Sequence, residues 1–208
     1  MLSKVPWQQA LLSPRAHWAW YGVLAWPLVW MVWALFNDAL GANPAEALSR
    51  SSGDWTLRWL CLVLAITPLR HIAGVPALLR FRRSTGVACF IYASVHMLCY
   101  AWFDQNGDLT EIAKDLVKRP FIWLGMLAFV VMLPLAVTSN NASVRWLGGK
   151  RWQQLHRMVY LLPVLAVLHF YWMRAGKNNF DEVWVYALVL SVLLVWRVWW
   201  KAKTSPRI

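Results

Sequence analysis

Residues 152–173 read WQQLHRMVYLLPVLAVLHFYWM, a run of 22 residues in which Arg157 is the only Lys, Arg, Asp or Glu. A helix that crosses a bilayer needs about 20 mostly apolar residues. Five other stretches of the chain have a similar length and character. The sequence therefore predicts an all-α integral membrane protein, a single bundle of six transmembrane helices over residues 1–208, with spans at 16–36, 55–73, 85–103, 120–138, 152–173 and 180–200.

The composition leaves no room for a separate soluble domain. Hydrophobic residues make up 60% of the chain and charged residues 14%, whereas soluble domains carry about 25% charged residues. The segments between spans, such as 41–54, 73–84 and 138–151, are short and polar, so we expect any substrate-reducing site to belong to another polypeptide. The cysteines are three in number and lie in apolar stretches, which predicts core packing rather than a disulfide framework or a zinc site: Cys61, Cys89 and Cys99.

The basic residues are distributed unevenly once the loops are assigned alternately to two sides of a membrane. The chain has 21 Lys and Arg against 9 Asp and Glu, a net charge of +12. Lys and Arg near span ends accumulate on the cytoplasmic side, so both termini are predicted to be cytoplasmic. This topology and contact with anionic lipid account for the charge, and nucleic acid is not predicted as a partner. The predicted inner side has no acidic residue and holds Lys4, Arg15, Arg70, Arg80, Arg82, Arg83, Arg145, Lys150, Arg151, Arg157, Arg197, Lys201, Lys203 and Arg207.

Ionisable side chains inside the spans are a guide to function, because their burial in hydrocarbon is costly. The only Asp and Glu within the six spans are Asp181 and Glu182, at the outer end of the sixth. No carboxylate lies deep in a span, which argues against a pump or secondary transporter. Histidine remains, and its neutral imidazole binds metals and holds haem iron axially. His17 and His71 lie at the inner ends of spans, where an interfacial role is the simpler interpretation.

His96 and His169 lie in the same half of the bilayer on two different spans. At a rise of 1.5 Å per residue, His96 is about 18 Å and His169 about 25 Å from the inner ends of their helices. The two imidazoles could hold one iron between them, although a lone intramembrane His is more often a packing residue. His156 is only about 6 Å deep and could serve an inner site; a straight helix does not align it with His169, but Pro163 between them can change the phase. Without a CxxCH motif, any haem would be b-type and noncovalent.

The sequences around these histidines resemble a known family. RRSTGVACFIYASVHMLCY at 82–100 and GKRWQQLHRMVYLLPVLAVLHFYW at 149–172 are similar to MsrQ (YedZ), the haem-binding membrane subunits of bacterial periplasmic methionine-sulfoxide reductase systems. GANPAEAL at 41–48, ITPLR at 66–70 and KRPFIWLG at 118–125 extend the resemblance to nearly the whole chain. That family belongs with the ferric-reductase-like transmembrane domains.

The resemblance implies an electron-transfer subunit in the bacterial inner membrane, with haem b and FMN as cofactors. Electrons would come from the quinol pool or from a cytosolic flavin reductase. They would pass to a periplasmic molybdopterin methionine-sulfoxide reductase, MsrP, that repairs oxidised periplasmic proteins. Composition and spacing alone do not select this donor or this acceptor.

By position, the resemblance implies that His96 and His169 hold an outer haem and that His156 is the ligand of an inner one. Two-haem relatives place another His 14 residues before the outer ligand of the third span, where this chain has Arg82. Arg82 could bind a propionate, act as an unusual ligand or be only a topological charge. His71 is a reserve partner for His156, so the number of haems, one or two, stays open. A flavin phosphate could be held by inner-face basic residues: Arg80, Arg82, Arg83, Lys150 and Arg151.

Two other functions remain open at the level of sequence. A quinol-linked or metal-ion-reducing b-type cytochrome would have the same spans and ligands but another acceptor. A haem-free transporter or assembly scaffold would use the histidines for packing or for a solute, and would show no Soret band. The acidic outer loops at 37–54 and 103–119 are a candidate docking surface, although acidic residues are also typical of any export-side loop.

Overall fold

The computed structural model describes residues 6–176 and 178–204, and this part of the chain contains helices and no strand. Lys4, Lys177 and Arg207, three of the basic residues used to predict the topology, lie outside the described residues. Ten α-helices follow in chain order: α1 Pro6–Leu12, α2 Pro14–Phe36, α3 Pro44–Ile72, α4 Leu79–Cys99, α5 Leu109–Lys118, α6 Phe121–Val137, α7 Asn141–Leu147, α8 Gly149–His156, α9 Leu162–Ala175 and α10 Asp181–Thr204.

Four helical stretches among the described residues are long and apolar enough to cross a membrane. They coincide with the predicted first, third, fifth and sixth spans: Pro14–Phe36, Pro76–Asp104, Gly149–Ala175 and Asp181–Thr204. The predicted fourth span is α6, which counts as a fifth crossing only when it is taken together with α5. The predicted second span lies within α3, which is not among these stretches. Six crossings therefore stay a prediction.

Three of the polar segments between the predicted spans contain helices. Most of 41–54 is the first part of α3, which begins at Pro44 because Asn43 caps the helix by accepting from the Glu46 amide at 3.1 Å. The segment 103–119 contains α5, capped by Asp108. The segment 138–151 contains α7, capped by Asn140. Polar side chains that bond the first free amides of a helix stabilise these starts.

The predicted fifth span is not one continuous helix. A 3₁₀ turn at Arg157–Tyr160 separates α8 from α9. Pro163 stands in the first turn of α9, where its missing amide hydrogen breaks no helical hydrogen bond. The interruption therefore lies before Pro163, and His156 and His169 stand on two separate helices, α8 and α9.

The core lies around α4, which packs against α3, α2 and α6, while α9 packs on α6 and α10 on α3. Buried apolar side chains from these helices form one cluster, in which Leu64 and Tyr92 are almost fully enclosed. The three cysteines are free thiols within the bundle, as the sequence predicts. This arrangement brings the carboxyl-terminal half of α4 beside that of α9.

The outer end of α4 and the start of α6 are joined by a sharp bend. A π-helical turn, Tyr100–Asp104, ends α4, and the axes of α5 and α6 meet at 117°. Asp115 on α5 accepts hydrogen bonds from Tyr100, at 2.9 Å, and from Arg119 in the break. Side chains from three consecutive segments therefore meet at one carboxylate and hold the bend.

Candidate functional site

His96 on α4 and His169 on α9 lie opposite each other inside the bundle. Their ring centroids are 6.4 Å apart and the ring planes are inclined at 82°. The depth of the two residues in the sequence predicts this proximity, and the structure confirms it. The two histidines come from helices that are not consecutive in the chain, and their rings could hold a group bound between them.

Each of the two rings is fixed by a hydrogen bond to a helix backbone. Nδ1 of His96 lies 2.8 Å from the Ser49 carbonyl oxygen on α3, and Nδ1 of His169 lies 2.7 Å from the Phe121 carbonyl oxygen on α6. A carbonyl oxygen only accepts hydrogen bonds, so Nδ1 must carry the proton in each ring. In the neutral imidazoles the lone pair is therefore on Nε2, the nitrogen left available to a metal.

The distance between the rings fits two ligands of one haem iron. With metal–nitrogen bonds of about 2.0–2.1 Å, and about 1.2 Å more from each nitrogen to its ring centre, the centroids of two opposed imidazoles would be roughly 6.4 Å apart. No group of three His, Cys, Asp or Glu side chains within the described residues could hold a bare metal ion. A haem supplies its own equatorial ligands, so two histidines such as His96 and His169 would be enough to hold it.

A separate cavity of about 490 Å³ lies toward the predicted inner side, between α4, α6 and the α8–α9 segment. It is lined by apolar side chains such as Phe90 and Met132 and by the polar groups of Arg82, Arg83 and His156. Fourteen residues of helix separate Arg82 from His96, or about 21 Å along α4. The inner cavity and the outer histidine pair are thus two distinct places in the bundle.

Comparison with known proteins shows the family to which the chain is similar. The profile of the ferric reductase like transmembrane component matches residues 52–167, more than half of the chain. The protein-methionine-sulfoxide reductase heme-binding subunit MsrQ of Polaromonas naphthalenivorans is 54% identical over 192 residues, which are 92% of this chain and 88% of that protein. The MsrQ subunit of Herminiimonas arsenicoxydans is 50% identical over 169 residues, 80% of this chain and 78% of its own.

A more distant relative, the MsrQ subunit of Bordetella pertussis, is 46% identical over 198 residues, covering 94% of this chain and 89% of that protein. This chain belongs to the MsrQ family. The matched profile includes Arg82, His96 and His156 and ends two residues before His169. The chain is therefore a multi-pass membrane protein of the ferric-reductase-like type. No solved structure gives a significant match.

His156 differs from His96 and His169 in this MsrQ chain. Its ring stacks on Trp152 with centroids 3.9 Å apart, and its Nε2 lies 3.0 Å from Thr138 Oγ1. The Thr138 hydroxyl already donates to the Pro134 carbonyl at 2.6 Å, so Nε2 of His156 is the donor to Thr138. As a result Nδ1, not Nε2, carries the free lone pair of His156. Sequence reasoning missed Thr138, since nothing in the pattern marks it as a partner of this histidine.

Arg82 and His71 occupy different environments in this MsrQ chain. Arg82 lines the same cavity as His156, so the structure brings these two predicted residues together. His71 instead stacks near Trp200 of α10, with ring centroids 4.5 Å apart, and its Nε2 lies 3.1 Å from a guanidinium nitrogen of Arg70. His71 is not among the residues that line the cavity. Its position thus favours Arg82 over His71 as the neighbour of His156.

His17, which sequence reasoning places at the interface, lines a second cavity of about 770 Å³ between α2 and α4. Its ring stacks on Phe81, with centroids 5.8 Å apart. Within the described part of the chain its buried Nδ1 has no hydrogen-bond partner. Apolar side chains such as Leu28 and Ile91 form the walls of this cavity, and Arg80 and Arg83 stand beside His17.

Proposed function

We propose that this chain is the haem b-binding electron-transfer subunit of a periplasmic methionine-sulfoxide reductase, with six membrane crossings and cytoplasmic termini. It takes electrons from the quinol pool or from a cytosolic flavin reductase and delivers them to a periplasmic molybdopterin enzyme that repairs oxidised envelope proteins. The observation that carries the proposal is the His96–His169 pair. Its centroid distance of 6.4 Å and its two backbone-anchored Nδ1 atoms are suited to axial ligation.

A bound haem b supplies reversible one-electron redox chemistry. The protein supplies two Nε2 lone pairs of fixed direction, because the Ser49 and Phe121 carbonyls set the tautomer of each ring. Apolar side chains also line the neighbouring inner cavity, where Phe90 stacks on Phe129 across α4 and α6 with centroids 5.3 Å apart. These features support electron transfer rather than substrate chemistry within this chain.

The inner cavity supports a second cofactor site in the proposed function. Arg82, Arg83 and Arg157 stand around it with His156, and guanidinium groups bind carboxylates and phosphates bidentately. A second haem, with propionates on the arginines and His156 Nδ1 or a reoriented Nε2 as ligand, suits this chemistry. So does FMN, whose phosphate would take the same arginines. We propose that this cavity holds one of these two groups, the second haem or FMN, at the cytoplasmic side.

The proposed docking surface for the periplasmic enzyme comprises the polar segments 37–54 and 103–119. Their acidic residues are partly engaged: Glu46 pairs with Arg50 at 2.5 Å and Glu111 with Lys114 at 2.6 Å. Exposed apolar side chains accompany them, including Trp102 at 71% and Leu109 at 80% exposure. An apolar patch with a charged rim is typical of an interaction surface, which supports a transient complex at this face.

Visible spectra of the detergent-purified protein test the proposal, with haem quantified as the pyridine haemochrome. We expect a sharp reduced α band that His96→Ala and His169→Ala each abolish or strongly reduce, whereas the matched variant His17→Ala retains it. The haem content of His156→Ala relative to wild type reports the inner site. A protein that stays colourless after expression with added haem precursor would instead support a haem-free transporter or scaffold.

The acceptor is tested separately from the haem. Dithionite-reduced subunit is mixed with purified periplasmic molybdopterin reductase and methionine sulfoxide, and oxidation of the α band is followed. We expect reoxidation only when both the enzyme and the sulfoxide are present. Reoxidation by ferric chelates alone, with none by the enzyme, would favour the rival b-type cytochrome with another acceptor.

A further inference from the structure

We propose that Gly53 and Gly125 are positioning residues for the two ligand imidazoles, because each leaves the space in which one ring lies against a helix backbone. This inference rests on the proposed haem function of His96 and His169. It concerns residues that carry no ligating atom. Gly53 on α3 and Gly125 on α6 contribute because neither has a side chain that would occupy the position of the ring.

On α3, the space beside Gly53 is filled by the His96 ring. A Cβ atom at position 53 would lie 3.0 Å from Cε1, 3.1 Å from Nδ1 and 3.6 Å from Nε2 of His96. Nδ1 of the same ring bonds the carbonyl of Ser49, four residues earlier on the same helix. The ring is therefore held between a carbonyl on one turn and a bare Cα on the next.

On α6, Gly125 has the same relation to His169. A Cβ atom there would lie 2.9 Å from Cε1, 3.0 Å from Nδ1 and 3.4 Å from Nε2 of the ring. Nδ1 bonds the carbonyl of Phe121, again four residues before the glycine. In an α-helix this carbonyl also accepts the amide hydrogen of the glycine itself. The two ligand histidines thus use one and the same backbone arrangement on two different helices.

The close ring contact is confined to these two positions among the ten glycines of the chain. Gly86 on α4 has its nearest atom at 4.0 Å, a Val63 methyl carbon, and Gly22 on α2 has none within 4 Å. Glycine is a poor helix former compared with alanine, so neither Gly53 nor Gly125 is favoured by the helix that contains it. Space for the imidazole supplies the reason for glycine at both places.

An added methyl group at either position must displace the ring, because the nearest contacts are with the ring atoms on both sides of Cε1. Displacement either lengthens the Nδ1 hydrogen bond, which weakens the ligand, or moves Nε2 off the line to the iron. The contact is closer at Gly125 than at Gly53. We therefore expect the larger change for Gly125→Ala and the smaller one for Gly53→Ala.

The experiment compares Gly125→Ala and Gly53→Ala with the matched helix variant Gly22→Ala, which lies at neither proposed cofactor site. Each purified holoprotein is examined for haem content, low-spin EPR signal, midpoint potential and carbon monoxide binding to the reduced haem. We expect the two site variants to lose haem or to shift the EPR signal and potential of the outer haem. We also expect carbon monoxide to bind where a ring has been displaced. The control variant Gly22→Ala should match wild type.

The outcomes separate this inference from the proposed function. If wild type binds no haem, or if His96→Ala and His169→Ala keep it unchanged, the proposed function fails first. If those histidine variants behave as expected while both glycine variants match Gly22→Ala in every readout, the positioning role is wrong. Should Gly125→Ala fail to give monodisperse protein, the milder Gly53→Ala decides the question by the same measurements.

Discussion

Arg197 on α10 donates a hydrogen bond, 2.8 Å long, to the carbonyl oxygen of Leu64 on α3. That carbonyl would normally accept the amide hydrogen of the residue four positions later, which is Pro68 and has none. The guanidinium also donates to the Tyr160 hydroxyl at 2.8 Å. One arginine within an apolar helix thereby satisfies the group that a proline leaves free on its neighbour.

Replacement of Arg197 by Met should destabilise the fold by about 1.5–3 kcal/mol, the usual range for hydrogen bonds to charged groups. Pro68→Ala restores an amide donor to α3, so the double variant should recover part of the loss. SDS titration compares the stability of wild type, Arg197→Met, Pro68→Ala and the double variant. Lys201→Met is the control for loss of a basic residue from the same helix. Additive effects of the two substitutions would contradict this coupling.

The hydroxyl of Tyr92 has a similar role at the proline of α2. It accepts from the Leu28 amide at 3.0 Å and donates to the Leu24 carbonyl at 2.8 Å, so it is inserted between two groups that would bond each other in a regular helix. Pro27 stands beside this point. A group inserted into the helical hydrogen bonds is a known cause of a kink.

Tyr92→Phe should therefore cost about 1–3 kcal/mol, because two backbone groups at a buried position lose their partner. Tyr92 is 1% exposed, so water cannot easily replace the hydroxyl. The control is Tyr186→Phe, whose hydroxyl has no hydrogen bond within the described residues. SDS titration of both variants gives the comparison, and equal stabilities would show that α2 closes its own hydrogen bond without loss.

The sequence is sufficient to predict the helices, because the backbone amide and carbonyl groups of an apolar span must form hydrogen bonds within the protein. A single segment achieves this only as a helix. It also predicts the meeting of His96 and His169, since depth follows from position along a span. The start of α3 was missed although Asn43, Pro44 and Glu46 form a helix-start pattern. The Ser49 and Phe121 carbonyls could not have been predicted, because a backbone acceptor leaves no trace in the residue type and its neighbour is set by packing of distant helices.

At the α5–α6 bend, the Arg119 guanidinium, hydrogen-bonded to Asp115, holds the pKa of that carboxyl below its usual range, and the Tyr100 hydroxyl acts in the same direction. A carboxyl whose pKa is lowered in the folded state stabilises the protein above its unfolded pKa of about 3.9. That contribution is lost as the pH falls through the folded value. The Asp115 side chain is only 13% exposed, but Arg119 is 42% exposed, which limits the magnitude.

Asp115→Asn should therefore destabilise the protein at pH 7 by about 1–2 kcal/mol. The difference from wild type should begin to shrink near the unfolded pKa of about 3.9 and should vanish only below the lowered pKa of the folded Asp115 carboxyl. Glu111→Gln, in the exposed pair with Lys114, is the control and should change stability by less than about 0.5 kcal/mol. Thermal unfolding in detergent from about pH 2 to 8 measures the dependence. A constant difference between wild type and Asp115→Asn over this range would contradict it.

The 82° inclination of the His96 and His169 rings makes a spectroscopic prediction for the proposed outer haem. Each ring orientation is held by a backbone hydrogen bond, 2.8 Å long for His96 and 2.7 Å for His169, so iron binding should leave the planes nearly perpendicular. Perpendicular axial imidazoles make the iron d orbitals that interact with them nearly equal in energy. The oxidised protein should therefore give a strongly anisotropic low-spin EPR signal with a large maximum g value. The signal should disappear in His96→Ala and His169→Ala and persist in His156→Ala, whereas a rhombic signal typical of parallel imidazoles would show that at least one ring rotates away from its backbone carbonyl.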